Sequence, residues 1–151
     1  MPQSLAQIYL HIVFSTKGHA PYLQDAAFSE ELYAYIAGIC KSLDCHAKPV
    51  GGHVDHLHIL CSLSRQKTVA DLIREVKTRS SRWIKERKPG FAGFHWQDGY
   101  GVFSVSQSQV EKVRVYIDNQ REHHRTMTFK EEFRMWLREY GIDFDERYVW
   151  D

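Results

Sequence analysis

Hydrophobic residues recur along the chain with two different periods, which separate predicted strands from predicted helices. Residues 8–14, with the sequence IYLHIVF, are rich in β-branched and aromatic residues and apolar on both faces, which is typical of a central strand. Shorter apolar segments predict three further strands, at 45–50, 55–63 and 102–105. Pro49 favours an edge position for the first of these, and Gly51-Gly52 predict the turn that follows it.

Apolar residues spaced three and four apart predict four helices, with approximate ranges 25–43, 68–88, 108–123 and 128–140. Pro89-Gly90 follow the second helix and Gly141 follows the fourth, and both are common helix terminators. The third and fourth helices begin with Ser-x-x-Glu and Thr-x-x-Glu, patterns in which the hydroxyl caps the first turn.

The predicted order is strand, helix, strand, strand, helix, strand, followed by two helices. This β-α-β-β-α-β order predicts an α+β fold of the ferredoxin-like (RRM-like) type, an antiparallel sheet with additional C-terminal helices. In this arrangement two helices cover one face of the sheet, and we expect the other face to be free. No repeat or linker interrupts the sequence, so we expect a single domain over residues 1–151.

The composition excludes several classes of protein. Hydrophobic residues make up 43% and charged residues 26%, which argues against disorder. No apolar run approaches the roughly 18 residues that span a membrane, and no basic segment precedes an apolar N-terminal stretch, so we expect neither membrane insertion nor export. Three cysteines without a C-x-x-C pattern argue against disulfides, and a cytoplasmic location is expected.

A net charge of +1 conceals a strongly basic segment. Residues 65–90 contain nine basic and three acidic side chains. On a helical wheel Arg74, Lys77 and Lys85 lie opposite the apolar stripe and are expected to face solvent. Clustered positive charge indicates a polyanionic partner such as nucleic acid, although a solvated helix face has the same pattern.

Two histidines in the third predicted strand form half of a possible metal site. The side chains of His56 and His58 project from one face, because a strand alternates its side chains, and they start ~7 Å apart. Two imidazoles at this separation can bind one cation, but nine histidines also make chance pairs possible. We expect Asp55 to point to the opposite face as a turn or surface residue rather than to support His56, and His11 to be a hydrogen-bonded core residue.

Tyr116 and Gln120 lie one turn apart on the third predicted helix, so they share one side of it. They border its apolar stripe, which directs them toward the sheet. A packed tyrosine with a neighbouring amide is one interpretation of this pair. If the helix packs on the histidine face, the pair would instead bring an amide oxygen and a phenol to a cation.

Together, four features resemble one family: His56-Leu57-His58, Tyr116-x-x-x-Gln120, HIVFSTK near the start, and WQDGYGVFSVS before the third helix. They resemble the single-tyrosine HUH transposases, the small transposases of minimal insertion sequences and their relatives associated with repeated extragenic palindromes. The resemblance extends from about Ile8 to the end of the sequence.

The resemblance implies a role for each of four residues. His56, His58 and Gln120 would bind one divalent ion, Mg²⁺ or Mn²⁺, that polarises the scissile phosphate. Tyr116 would attack phosphorus and form a 5′-phosphotyrosine with a free 3′-hydroxyl. The implied activity is that of a DNA transposase, a single-strand endonuclease and strand transferase.

The resemblance also implies the partners. The substrate would be single-stranded DNA with a hairpin, whose phosphates Arg74, Lys77 and Lys85 would hold. The assembly would be a homodimer in which the tyrosine helix of one subunit can complete the site of the other. A non-catalytic nucleic-acid-binding module and a hydrolytic metal nuclease are the alternatives.

Overall fold

A computed structural model describes residues 2–151 and contains one four-stranded sheet. Its strands are β1 (Tyr9–Ser15), β2 (Ala47–His53), β3 (His56–Ser62) and β4 (Gly101–Val105). The strand order is β2-β3-β1-β4, and every neighbouring pair is antiparallel. This order places β1 in the centre, as its apolar sequence predicts, and the predicted α+β class with an antiparallel sheet is confirmed.

Five α-helices connect and follow the strands: α1 (Ala26–Ser42), α2 (Val69–Arg87), α3 (Val110–Asp118), α4 (Gln120–His123) and α5 (Phe129–Glu139). The side chain of Asp25 caps α1, Thr68 caps α2 and Thr128 caps α5 by accepting hydrogen bonds from backbone N–H groups. None of the helices within residues 2–151 is long and apolar enough to cross a lipid bilayer.

The third predicted helix starts later and breaks earlier than its sequence indicates. Gln107–Gln109 form a short 3₁₀ turn, and α3 begins at Val110 without a side-chain cap. The backbone at Asn119 leaves helical geometry (φ −100°, ψ 23°), so that α3 ends and α4 is a separate turn. The predicted Ser-x-x-Glu cap is therefore wrong, because its serine precedes the 3₁₀ turn.

β2 continues through the two glycines for which the sequence predicts a turn. A Cβ at Gly51 would lie 2.9 Å from Cγ2 of Ile117, and one at Gly52 would lie 2.2 Å from the carbonyl oxygen of His56. The glycines therefore allow α3 to approach the sheet closely and the β2–β3 hairpin to close tightly.

Both faces of the sheet are covered, so the predicted free face is wrong. On one face, Ile12 and Phe14 pack with the apolar residues of α1 and α2 in the larger core. On the other face, Val13 and Phe103 pack under α5, while Leu60 packs under α3. The C-terminal helices cover this second face because alternate strand positions there are apolar as well.

Lys77 of α2 faces the loop after Phe94 rather than solvent, contrary to the helical-wheel prediction. Its Nζ donates hydrogen bonds to the carbonyl oxygens of Gln97 (2.7 Å), Asp98 (3.1 Å) and Gly99 (2.8 Å). Within residues 2–151 no backbone N–H donates to these three carbonyl oxygens, and the long lysine side chain reaches them. By contrast, Arg74 is exposed and pairs with Asp71 on its own helix.

We expect Lys77→Met to lower the free energy of unfolding by about 2–4 kcal/mol, because three loop carbonyls lose their donor. Urea unfolding followed by circular dichroism measures this change. The matched control is Arg74→Met on the same helix, for which we expect a change below about 0.5 kcal/mol. Equal losses in the two variants would contradict the assigned role of Lys77.

Candidate active site

Two imidazoles from β3 form the base of the site. His56 and His58 project from the same face of the strand, as alternation predicts, and neither has exposed surface. Their ring centroids are 5.1 Å apart. The site therefore lies between the sheet and the C-terminal helices.

Each of these imidazoles contacts a second side chain through its Nδ1 atom. Nδ1 of His56 lies 2.8 Å from Oδ1 of Asp55, and Nδ1 of His58 lies 2.8 Å from Nε2 of His11. Asp55 lies in the hairpin turn, as expected, but the expectation that it points away from His56 is wrong, because strand alternation does not apply in a turn. The expectation that His11 is a hydrogen-bonded core residue is confirmed. These contacts leave both Nε2 atoms directed into one pocket.

The Tyr-x-x-x-Gln pair reaches the same pocket from α3 and α4. Oε1 of Gln120 lies 2.9 Å from Nε2 of His56, and Gln120 is buried. The ring of Tyr116 lies 5.9 Å from that of His58, measured between centroids. All four residues singled out by the two sequence patterns thus come together within one chain.

Glu132 of α5 lies at the centre of this group, and the sequence interpretation missed it. Its Oε1 is 2.9 Å from Nε2 of His58 and 3.4 Å from Nε2 of His56. Its Oε2 accepts hydrogen bonds from the Tyr116 hydroxyl and from Nε2 of Gln120. The signal for it was present, because Glu132 occupies the buried, apolar side of an amphipathic helix.

His124 completes the contacts around the carboxylate. Its Nε2 lies 3.3 Å from Oε1 of Glu132 and 3.1 Å from Oε1 of Gln120. The side chain is almost fully buried, so this histidine belongs to the cluster rather than to the exposed end of a helix.

Burial and mutual charge set the protonation of these groups. Burial disfavours a charged His56, but its hydrogen bonds to Asp55 and Glu132 outweigh this effect and raise the pKa to about 9. Burial also acts against the charged carboxylate, yet His58 and the other histidines hold the pKa of Glu132 well below its usual range. Burial and the charge of Glu132 raise the pKa of the Tyr116 phenol above its ordinary value. The Tyr116 phenol is therefore neutral and donates its hydrogen bond to an ionised Glu132 carboxylate.

The donor set fits a divalent cation. His56, His58 and Glu132 offer ligand atoms within 4.8 Å of one another, which suits one ion at ~2.1 Å from each. The Gln120 oxygen beside His56 adds a further donor. Two imidazoles with a carboxylate favour a transition-metal ion such as Mn²⁺, whereas Mg²⁺ prefers an all-oxygen shell.

The three predicted DNA-binding residues are not part of this cluster. Arg74, Lys77 and Lys85 belong to α2, which packs on the opposite face of the sheet from the histidines. Arg74 is exposed and Lys85 is partly exposed, while Lys77 binds the loop described above.

Comparisons with known proteins point to one family. The family model described as IS200-like transposase matches residues 4–120. A candidate transposase from Deinococcus radiodurans R1 is similar in structure, with 21% identity over 80% of this chain and 95% of that chain, and a TM-score of 0.62. A REP-associated tyrosine transposase bound to a REP hairpin has 11% identity, covers 80% of this chain and 68% of that chain, and has a TM-score of 0.53. No curated protein sequence matches this chain significantly.

At these identities the two structures show a shared fold alone. The matched range 4–120 includes the histidine pair, Tyr116 and Gln120, whereas α5 and Glu132 lie beyond it.

We expect the protein to bind Mn²⁺ without DNA, and Glu132→Gln to weaken that binding at least about tenfold, because the cluster loses its charged oxygen donor. Isothermal titration calorimetry measures the affinity, and thermal unfolding in chelator verifies the fold of each variant. Glu131→Gln is the matched control, since Glu131 is the exposed neighbour on α5. Equal affinities for the two variants would contradict a role of Glu132 at the ion.

Proposed function

The chain belongs to the IS200-like transposase family, and from this premise we propose that it cleaves and rejoins single-stranded DNA through Tyr116. The resemblance to single-tyrosine transposases is confirmed at the level of the family. One observation carries the proposal further: the Tyr116 hydroxyl donates to Glu132, the carboxylate that also contacts the paired imidazoles. A nucleophile adjoining a cation-binding group suits attack on a phosphodiester.

The proposed reaction transfers a DNA end to the tyrosine. Oη of Tyr116 attacks phosphorus, the bond from phosphorus to the 3′-oxygen breaks, and the 5′-phosphate remains on the tyrosine. The phenolic proton moves along the existing hydrogen bond to Oε2 of Glu132 and from there to the leaving 3′-oxygen, so that Glu132 ends the step ionised as it began. A new 3′-hydroxyl reverses these steps, so rejoining needs no ATP. The sequence accordingly contains no G-x-x-x-x-G-K-[ST] phosphate loop.

The surrounding residues organise this reaction. His56, His58 and Glu132, with the Gln120 oxygen as a further donor, would hold a divalent cation, which would supply positive charge that polarises the scissile phosphate. Gln120 donates its amide N–H to Glu132, which orients its oxygen toward His56. Burial of the cluster excludes bulk water, which favours attack by the tyrosine over hydrolysis.

The proposed substrate is single-stranded DNA that carries a hairpin. The REP-associated tyrosine transposase with a similar fold is bound to a REP hairpin, which supports this substrate class. Exposed Arg74 and partly exposed Lys85 would contact phosphates of the DNA away from the reaction centre, on the other side of the sheet.

The proposal assigns Tyr116 to the site of its own chain. The family resemblance predicts a homodimer whose subunits can exchange tyrosine helices. The close approach of Tyr116 to His58 and Glu132 within one chain supports the same-chain arrangement. A homodimer itself stays a prediction.

Two alternative functions give different results in the same assay. A metal nuclease would use activated water, and a binding module would not cleave. The hydrogen bond between Tyr116 and Glu132 favours the covalent mechanism over the nuclease, because hydrolysis by water does not require a tyrosine there. The buried histidine–carboxylate cluster argues against a simple binding module, since burying such charges is unfavourable unless they are paired.

We expect wild-type protein with Mn²⁺ to form a covalent adduct with hairpin oligonucleotides that carry randomised single-stranded flanks. Tyr116→Phe should abolish the adduct, seen as a DNA-linked band on a denaturing gel, and keep DNA binding. Tyr148→Phe is the control, because Tyr148 is exposed and distant in sequence from the cluster. Cleavage that survives Tyr116→Phe would indicate a nuclease, and binding without cleavage by the wild type would indicate a binding module.

We expect Arg74→Gln with Lys85→Gln to reduce the salt dependence of DNA binding, each lost phosphate contact lowering the slope by about 0.7–0.9. Fluorescence anisotropy at several salt concentrations measures the slope of log K against log salt. The double variant Lys41→Gln with Lys48→Gln removes the same charge from other exposed positions and should keep the slope. An unchanged slope in the α2 variant would place the DNA elsewhere.

A further inference from the structure

A cavity of about 580 Å³ opens beside Tyr116, on the side away from the hairpin turn of β2 and β3. Ser104 and Ser106 at the end of β4 line its floor, α3 forms one wall, and the end of α5 forms the other. The ring that carries the proposed nucleophile is part of the wall. The cavity therefore adjoins the candidate active site through Tyr116.

Aromatic rings line this cavity on two sides. The rings of Tyr116 and Trp136 lie nearly perpendicular with centroids 5.3 Å apart, and Trp136 and Tyr140 follow at 6.1 Å. Tyr140 keeps 40% of its surface exposed and Val115 keeps 44%, and both line the cavity. This surface can take up a flat ring.

Polar groups in the cavity remain without partners. Lys112, Tyr116 and Asn119 occupy one side of α3 at spacings of four and three, and all line the cavity. Within residues 2–151, the side chains of Lys112, Asn119 and Gln109 make no hydrogen bond or ion pair. The cavity thus combines stacking surfaces with unused donors and acceptors.

We propose that this cavity binds one unpaired nucleobase, that of a nucleotide adjoining the phosphate that Tyr116 attacks; the inference rests on the proposed function. The nucleotide next to that phosphate must lie beside Tyr116, where the cavity begins. Aromatic walls stack on the base, and amides such as Asn119 pair with its edge. Lys112, one turn before Tyr116, contacts the adjoining phosphate.

The chemistry of the lining favours a base over other occupants. Glu139 also lines the cavity, and its negative charge disfavours a phosphate inside it while accepting a hydrogen bond from an amino group of a base. The side-chain amides of Gln109 and Asn119, which line the cavity, disfavour a purely apolar ligand, because such a ligand would cover them without a hydrogen-bond partner. A nucleobase is a flat ring with donors and acceptors at its edge, so it meets both requirements.

Fluorescent base analogues test this inference without cleavage. The probe is a DNA hairpin with single-stranded flanks in which 2-aminopurine or pyrrolo-cytosine replaces one flank nucleotide at a time, in chelator. We expect wild-type protein to quench the analogue at one flank position, because the base stacks on aromatic rings. Tyr140→Ala and the cavity-filling Val115→Trp should weaken this quenching at least about fivefold. Tyr140→Phe, which keeps the ring, and Tyr148→Ala, which lies outside the cavity, should leave it unchanged.

Parallel anisotropy measurements separate the failure of this inference from that of the proposed function. DNA binding without position-specific quenching, or quenching that Val115→Trp does not alter, would overturn the base site and leave the proposed function standing. Absence of any DNA binding would overturn both. Thermal unfolding of each variant shows that it folds, and the exposed positions of Val115 and Tyr140 make a folded product the expected result.

Discussion

The buried carboxylate of Glu132 is the interaction on which the arrangement of the site depends. An ionised group without solvent contact is stable only when donors surround it, and here imidazole, amide and phenol groups do so. These donors come from β3, α3, α4 and the segment after α4, while the carboxylate comes from α5. One charge therefore holds several elements of the fold against each other, and the same contacts gather the groups proposed to cleave DNA.

The second layer of helices covers the face of the sheet that carries the histidines and completes the candidate active site. Residues 4–120, which match the family, supply the paired imidazoles of His56 and His58, the phenol and the amide, but the carboxylate comes from beyond that range. The same C-terminal helix supplies Trp136 and Tyr140, which form a wall of the cavity proposed to bind a base. In this interpretation, α5 contributes both to the proposed reaction and to the proposed recognition of the adjoining nucleotide. Its buried acid, Glu132, and its aromatic residues are directed toward Tyr116.

The sequence predicted those parts of the site that depend on local periodicity. Strand alternation placed His56 and His58 on one face, and helical spacing placed Tyr116 and Gln120 on one side, and these geometries are present. Two predictions that depended on neighbouring elements were wrong. Asp55 contacts His56 because it lies in a turn, where strand alternation does not apply. Lys77 contacts the carbonyl oxygens of a loop, and a helical wheel contains no information about that loop.

By itself the sequence determined the order of strands and helices, the α+β class and the candidate groups, because each depends on residues at most a few positions apart. Only the tertiary structure decided that the second face is covered, that Glu132 joins the histidines, and that a cavity opens beside Tyr116. His58 and Glu132, which are in contact, are 74 positions apart in the sequence. No local pattern encodes such a contact; it arises when burial of apolar surface brings α5 onto the sheet and the carboxylate must find its donors there.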